Sequence, residues 1–226
     1  MSRHRVIAID GPAGSGKSTT AKLLAARLGF VYLDTGAMYR CVTLGAMEKG
    51  LDIADESAVG KISSTIEIEF QPTADGNNVF LNGRDVTLEI RTPLIDARVS
   101  QVSSYKTVRD KMVAMQRAMA ERGDVVAEGR DMATVVFPDA ALKIFLVADI
   151  ETRAVRRCRQ LEGFGLSSSI EEQVASLTSR DLFDSERANS PLKVDPDAVI
   201  LDTSGMSINE QVERVYELSI ERLKRK

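Results

Sequence analysis

The stretch Asp10-Gly11-Pro12-Ala13-Gly14-Ser15-Gly16-Lys17-Ser18-Thr19 decides how the chain is read. Gly11 to Ser18 fits G-x-x-x-x-G-K-[ST], the loop that wraps the phosphates of a nucleoside triphosphate. Before it, Val6-Ile7-Ala8-Ile9 is an apolar run suited to a buried parallel strand. After it, Lys17 to Leu28 reads as a helix with Ala21, Leu24, Ala25 and Leu28 on one face and Gly29 closing it. Gly14 and Gly16 let the backbone approach phosphate, and successive N–H groups at the helix start hold the anion. Lys17 brings a point charge to the outer phosphates, and the Ser18 hydroxyl is a ligand for Mg²⁺. The residues Gly11 to Thr19 are therefore the expected triphosphate site.

At 226 residues and 43% hydrophobic content, the chain is long enough for one core, or one core with a small insert. Thirty basic and 33 acidic residues leave a net charge of -3, which argues against a nucleic-acid-binding surface. Met1-Ser2-Arg3-His4-Arg5 leads directly into a strand, so no apolar signal segment is expected, and no apolar run approaches the ~20 residues that span a bilayer. A cytoplasmic protein follows as the expectation. Cys41 and Cys158 form no C-x-x-C pair, which disfavours a disulfide scaffold or a zinc site. His4 is the single histidine and lies in the tail, so histidine-based acid–base or triad chemistry is excluded.

Along the chain, Val31-Tyr32-Leu33 reads as a second strand, Asp34-Thr35-Gly36 as a turn, and about Ala37 to Lys49 as a helix with Met38, Val42 and Met47 inward. A further short helix is expected over Asp55 to Ser63. Ile66 to Phe70 alternates as a half-exposed strand does, Asp75-Gly76-Asn77-Asn78 is turn chemistry, and Val79-Phe80-Leu81 with Asn82-Gly83 begins a return. An antiparallel hairpin is foreign to a βα core, so Ile66 to Thr87 reads as a small inserted sheet, with Pro93 to Ser103 continuing out of it. Tyr105 to Arg122 reads as a long helix whose Val108, Met112, Met115 and Met119 form a core stripe. The core resumes with strands at 124–128, 142–147 and 197–202. Asp149 caps a helix over Ile150 to Gln160, and Glu162 to Ser168 reads as a loop. Capping boxes at Ser169–Glu172 and Ser207–Glu210 open two more helices, the last with Ile208, Val212, Val215 and Leu218 inside. Alternating strands and helices predict an α/β fold, a doubly wound five-stranded parallel sheet of the P-loop NTPase type.

No N-K-x-D stretch reads guanine, and the third core strand ends in Glu128-Gly129-Arg130-Asp131 rather than paired acids, which argues against a GTP switch and against a motor ATPase. Arg40, Arg130, Arg180 and Arg187 stand at element ends, where several guanidiniums suit a second phosphate ligand and the charge that develops in transfer. A shikimate- or adenylate-type kinase and a non-catalytic nucleotide-binding protein remain open on these residues alone.

The blocks Ile9 to Ser18, Leu33-Asp34-Thr35-Gly36-Ala37-Met38-Tyr39-Arg40, Glu89-Ile90-Arg91-Thr92, Gly129-Arg130-Asp131-Met132 with Thr134 to Asp139, and Arg180-Asp181 carry a fuller likeness. Over essentially its whole length the chain resembles the bacterial cytidylate kinases. The resemblance implies transfer of a phosphoryl group from ATP-Mg²⁺ to CMP and dCMP. It implies a core over 1–62 and 124–226, a monophosphate-binding insert over 64–103, and a helical lid around 153–170. By position it makes Arg40, Arg130 and Arg187 the clamp on the acceptor phosphate, catalytic together with Lys17. It makes Ser100, Arg109 and Asp131 the cytosine readers, and Arg180 and Asp184 ribose contacts. Arg153 and Arg157, one helical turn apart, would bring lid charge over ATP. Asp34 and Glu128 could hold Mg²⁺ through water, an assignment left open. ATP and CMP or dCMP are the expected partners, with no nucleic acid, no membrane and a monomeric chain.

Overall fold

The computed structural model describes residues 4–73 and 76–224. The expected turn residue Asp75 and the tail residues Met1, Ser2 and Arg3 lie outside them. Five parallel strands form the central sheet: β1 (Val6–Asp10), β2 (Val31–Asp34), β6 (Val125–Gly129), β7 (Leu142–Val147) and β8 (Val199–Asp202), in the order β2-β6-β1-β7-β8. The helices are α1 (Lys17–Leu28), α2 (Thr35–Glu48), α3 (Glu56–Ser63), α4 (Pro93–Ser104), α5 (Lys106–Ala120), α6 (Ile150–Glu162), α7 (Ile170–Glu186) and α8 (Ile208–Lys224).

Strand alternation divides the core between the two faces of the sheet. Ile7, Ile9, Val126, Ile144 and Leu146 pack with Leu24 of α1 and Val215 of α8. Ala8, Val125, Ala127 and Leu33 pack with Met38 and Val42 of α2 and Met112 of α5. Each such fully buried branched side chain contributes about 1.5–3 kcal/mol relative to exposure. The register brings Asp10 level with Gly129, and Asp34 level with Glu128, so three strand ends deliver acidic and glycine residues to one edge. That carboxyl edge is where open α/β sheets bind ligands.

Several element boundaries differ from the sequence reading. Thr35 and Gly36 are helical rather than a turn, because the Asp34 carboxylate accepts from the Ala37 N–H at 2.9 Å and starts α2 early. The inserted sheet is antiparallel, β3 (Ile68–Thr73), β4 (Gly76–Leu81) and β5 (Arg84–Asp85). Its first strand begins later than Ile66, since Asn82 takes the pairing position beside Glu67: its N–H donates to the Glu67 carbonyl and its Oδ1 accepts from the Glu67 N–H, both at 2.9 Å. Gly76, Asn77 and Asn78 belong to β4, and Asn77 Nδ2 donates to the Tyr32 carbonyl at 2.9 Å, tying the hairpin to the edge strand of the main sheet. The segment after the insert is a helix, α4, opened by Pro93 in its first turn. Met132–Val136 makes a π-helical turn that periodicity does not announce. Ile208 is not inside: at the first position of α8 it is 55% exposed, while Val212 and Val215 face the core.

Candidate active site

The phosphate-binding loop folds as its residues require. Gly11, Gly14 and Gly16 have φ of 147°, 77° and 93°, which side chains other than hydrogen resist. A Cβ on Gly11 would lie 2.1 Å from the Leu146 carbonyl oxygen, so the loop closes only because that position is bare. Lys17, in the first turn of α1, bends back to donate to the Pro12 carbonyl at 2.7 Å. It is buried, and that burial, reinforced by Arg130 and partly offset by Glu128, pushes its pKa down to about 7. Glu128 is pushed up, by burial first and then by Asp34. Its Oε1 accepts from the Ser18 hydroxyl at 2.6 Å and from Tyr32 at 3.3 Å, so the loop's hydroxyl and the end of β6 meet on one carboxylate. Asp10 accepts from the N–H groups of Met132 and Ala133, each at 2.8 Å, which aims the Gly129-Arg130-Asp131 segment across the edge.

Facing the loop is a group of arginines from three helices, α2, α5 and α7, and from the residues just after α7 and β6. Arg130 Nε donates to Asp184 Oδ2 at 2.8 Å. Burial works against the Asp184 carboxylate, but Arg130 and Arg180 outweigh it and hold its pKa below the usual range. Arg180, on α7, is pushed down to about 10 by burial, then by Arg130 and Arg40. Its Nε, and Nη2 of Arg187, are buried without a hydrogen-bond partner, as is Ser15 Oγ in the loop. Buried donors of this kind are normally paired, so the cluster holds donor capacity for an acceptor beyond those of the described residues. Arg40 donates to the Ile90 carbonyl at 2.9 Å and to Asp96.

Arg109 and Asp131 form a buried pair, with Arg109 lying over the Tyr39 ring at 5.5 Å. Arg109 also donates to Ser190 Oγ at 3.0 Å and to the Ser103 carbonyl at 3.1 Å. Arg187 donates to the Ser190 carbonyl at 2.8 Å and to the Ser103 hydroxyl at 3.3 Å.

The structure thus brings together Lys17, Ser18 and the loop on one side, and Arg40, Arg130, Arg180, Arg187, Arg109, Asp131 and Asp184 on the other. Three expected residues sit differently from the sequence picture. Ser100 is half-buried and enters the network through its carbonyl, which accepts from Ser103 at 2.9 Å; Ser103, one turn later, is the serine that reaches the arginines. Arg153 is not spread over the loop from outside but is buried beneath it, donating to the Ala13 carbonyl at 3.2 Å and paired with Asp181. Arg157, its neighbour one turn on, reaches α4 and pairs with Asp96. Sequence reasoning also missed Arg156, which donates to the Gly14 carbonyl at 3.5 Å and to the Thr203 carbonyl at 2.6 Å. Its only signal was membership of the Arg153–Arg159 basic run. Among the described residues no cluster of three or more His, Cys, Asp or Glu side chains could cage a metal, and no helix is long and apolar enough to cross a membrane.

A parallel sheet with a phosphate-binding loop at its carboxyl edge and a cationic cluster opposite defines a P-loop phosphotransferase. Similar folds are seen in a Thermus thermophilus protein (TM-score 0.50, 18% identity, 98% of this chain and 99% of that chain) and in an uncharacterized Eubacterium ventriosum protein (TM-score 0.50, 12% identity, 95% and 97%). The chain belongs to the cytidylate kinase family, whose model, described as Cytidylate kinase, matches residues 7–221. Relatives bearing that name include one from Geobacillus thermodenitrificans, 47% identical over 99% of this chain and 100% of its own length. Another, from Bacillus cereus, is 45% identical over 96% of this chain and 97% of its own.

Proposed function

We propose that this protein transfers the γ-phosphoryl group of ATP to CMP, and to dCMP, giving ADP with CDP or dCDP. The observation that carries the reading is the cation cluster: Lys17 and Arg180 are both held below their usual pKa in part by the neighbouring Arg130, and Arg180 and Arg187 keep buried donors unpaired. A second phosphate placed there meets the donors a phosphoryl acceptor needs. The acceptor is already an anion, so no general base is required; alignment and neutralisation of the two phosphates supply the acceleration. Gly11 to Thr19, with Arg153 supporting the loop from below, bind the donor, and Lys17 follows its outer phosphates. Arg40, Arg130 and Arg187 clamp the acceptor phosphate, with Arg180 and Asp184 toward its ribose.

Asp131 and Arg109, with Ser100, recognise cytosine. Cytosine offers an amino donor at N4 and acceptors at N3 and O2, complementary to a carboxylate beside a guanidinium. Uracil reverses two of these, and each buried mismatch costs about 1–3 kcal/mol.

The donor set fits Mg²⁺ carried in with the nucleotide: a Ser18 hydroxyl and nearby Glu128 and Asp34 carboxylates are hard oxygen ligands, too few for a protein cage. When bound, the ion neutralises charge on the β- and γ-phosphates. We read residues 64–103 as the monophosphate-binding insert and 153–170 as a lid. We read the chain as a monomer of the cytoplasm, a compartment that the two buried free thiols suit. A panel of nucleoside monophosphates assayed for ADP release tests the proposal. CMP and dCMP are expected to turn over, and preference for AMP, UMP or shikimate would overturn it.

A further inference from the structure

One carboxylate that no motif includes joins three of the arginines. Asp96 stands in the first turn of α4, its side chain 17% exposed. Its Oδ1 accepts from Arg40 of α2, and its Oδ2 accepts from Arg157 of α6. Arg180 of α7 stands 3.8 Å from Oδ1. Helices from the insert side, the core and the expected lid therefore converge on a single anion. The other anchors of these arginines are modest: Arg40 also holds the Ile90 carbonyl at 2.9 Å, and Arg157 holds Gln160 Oε1 at 2.6 Å. Three guanidiniums around one carboxylate leave the junction net positive, and the spare donor on Arg180 is buried.

We propose that Asp96 is a positioning residue acting through Arg40, Arg157 and Arg180: an internal counterpart of a phosphate group that presets these guanidiniums and is displaced when substrate phosphate takes them. The inference rests on the reading that Arg40 contacts the acceptor phosphate. Carboxylate and phosphate oxygens are interchangeable partners for a guanidinium fork, and the phosphate, with more oxygens and more charge, wins the exchange. Holding the arginines in place beforehand lowers the ordering cost at the moment of binding and transfer. The competition has the opposite effect on affinity, because part of the attraction between arginine and phosphate is spent in releasing Asp96. Loss of the Asp96 charge accordingly moves binding and turnover in opposite directions. A residue that merely braces α4 would weaken both.

Asp96→Asn keeps the size and removes the charge. Calorimetric titration with CMP and with inorganic phosphate, without ATP, is expected to give a Kd at least about fivefold lower than for the unaltered chain. Steady-state assays are expected to show kcat at least about fivefold lower, and Asp96→Glu is expected to return both toward the starting values. An unchanged or weaker CMP affinity in a folded Asp96→Asn protein overturns the proposal. So does failure of both Asp96→Asn and Asp96→Ser to fold by circular dichroism, which would make Asp96 a structural counter-ion. Arg40→Met, measured alongside, isolates the underlying reading: unaltered CMP binding there would refute the acceptor assignment of Arg40 rather than the exchange with Asp96.

Discussion

Arg109 and Asp131 pair side by side in the interior, 4% and 2% exposed, through Arg109 Nη2 and Asp131 Oδ2. The contact occupies one carboxylate oxygen and fixes the plane of the group. In the proposed site, Oδ1 remains to accept from the cytosine amino group, and the arginine is held beside it as a donor. Asp131→Asn turns a pure acceptor into a group that also donates, toward O4 of uracil. The ratio of kcat/KM for CMP over UMP is expected to fall at least about tenfold, or ~1.4 kcal/mol. If the pair only organises the loop, both substrates lose activity by the same factor, and an unchanged ratio in folded mutant refutes base reading.

Lys17→Ala separates the fold from the chemistry. The Lys17 ammonium is buried, with Arg130 and Arg180 opposing its charge against Glu128 and Asp10, and it donates to the Pro12 carbonyl rather than to a carboxylate, so its removal relieves the cost of a buried cation. The melting temperature is expected to hold or rise, while kcat falls at least about a hundredfold, the cost of removing one preorganised charge at a transferring phosphoryl group. Turnover within a few-fold of normal would take the loop lysine out of the mechanism.

Much of this arrangement is legible in the amino-acid sequence. The glycines of the loop, the capping acids at Asp149 and Ser169–Glu172, and the apolar faces of α1 and α5 are local signals, each complete within a turn or two of chain. Asp96, Ser103 and Ser190 are not legible there, because their roles exist only where α2, α4, α5 and the chain after α7 meet. Nothing near Asp96 in sequence distinguishes it from a helix-start acid. The late start of β3 has the same origin: alternation marks a strand, but a side chain fifteen residues away, Asn82, takes its first rung. Ile208 fits the apolar spacing of α8, yet it is exposed at the first position of that helix, and the buried residue of the same turn is Gln211, which accepts from the Thr20 hydroxyl at 2.7 Å.

The two thiols offer a check on the packing. Cys41 is fully buried on the inner face of α2, with burial and Asp34 pushing its pKa up to about 12, and Cys158 donates to the Ser168 carbonyl at 3.4 Å. A buried neutral thiol is a poor nucleophile. Native protein at pH 8 is expected to resist alkylation by iodoacetamide at Cys41 over hours, with rapid labelling in denaturant. Fast labelling of Cys41 in the native state, read by peptide mass, would mean that the α2 face opens.

Asp10 links the first strand to the π-helical turn, and its titration has a definite sign. Burial raises its pKa to about 6, against the opposing pull of the Ala133 and Met132 N–H groups. The folded chain therefore holds more protons than the unfolded one between about pH 4 and 6, and the contribution of Asp10 to stability falls as pH rises through that window. Asp10→Asn cannot titrate, so the difference in unfolding free energy between the two proteins should change across this range and level off above it. The variant also turns an amide toward one of the two N–H donors, for an expected loss of about 1–3 kcal/mol. A difference independent of pH, from urea melts at closely spaced pH values, would refute the raised pKa.

Lys17 should announce the arrival of the triphosphate by taking up a proton. Its pKa is lowered to about 7 from an ordinary 10.5, chiefly by burial and then by Arg130. Above pH 7 a growing fraction of the free enzyme carries a neutral amine. A polyanion beside it favours the ammonium and restores the higher pKa, so binding draws a proton from solvent wherever the free lysine has lost one. Near pH 8.5 the nucleotide phosphates are already ionised and contribute little uptake of their own. Calorimetry of ATP binding there, in buffers of contrasting ionisation enthalpy, is expected to show uptake approaching one proton. The uptake should shrink toward pH 6, where Lys17 is already charged, and vanish in Lys17→Met. Equal uptake in that variant would assign the proton to another group, and no uptake in the unaltered chain would show that Lys17 stays charged in the free protein.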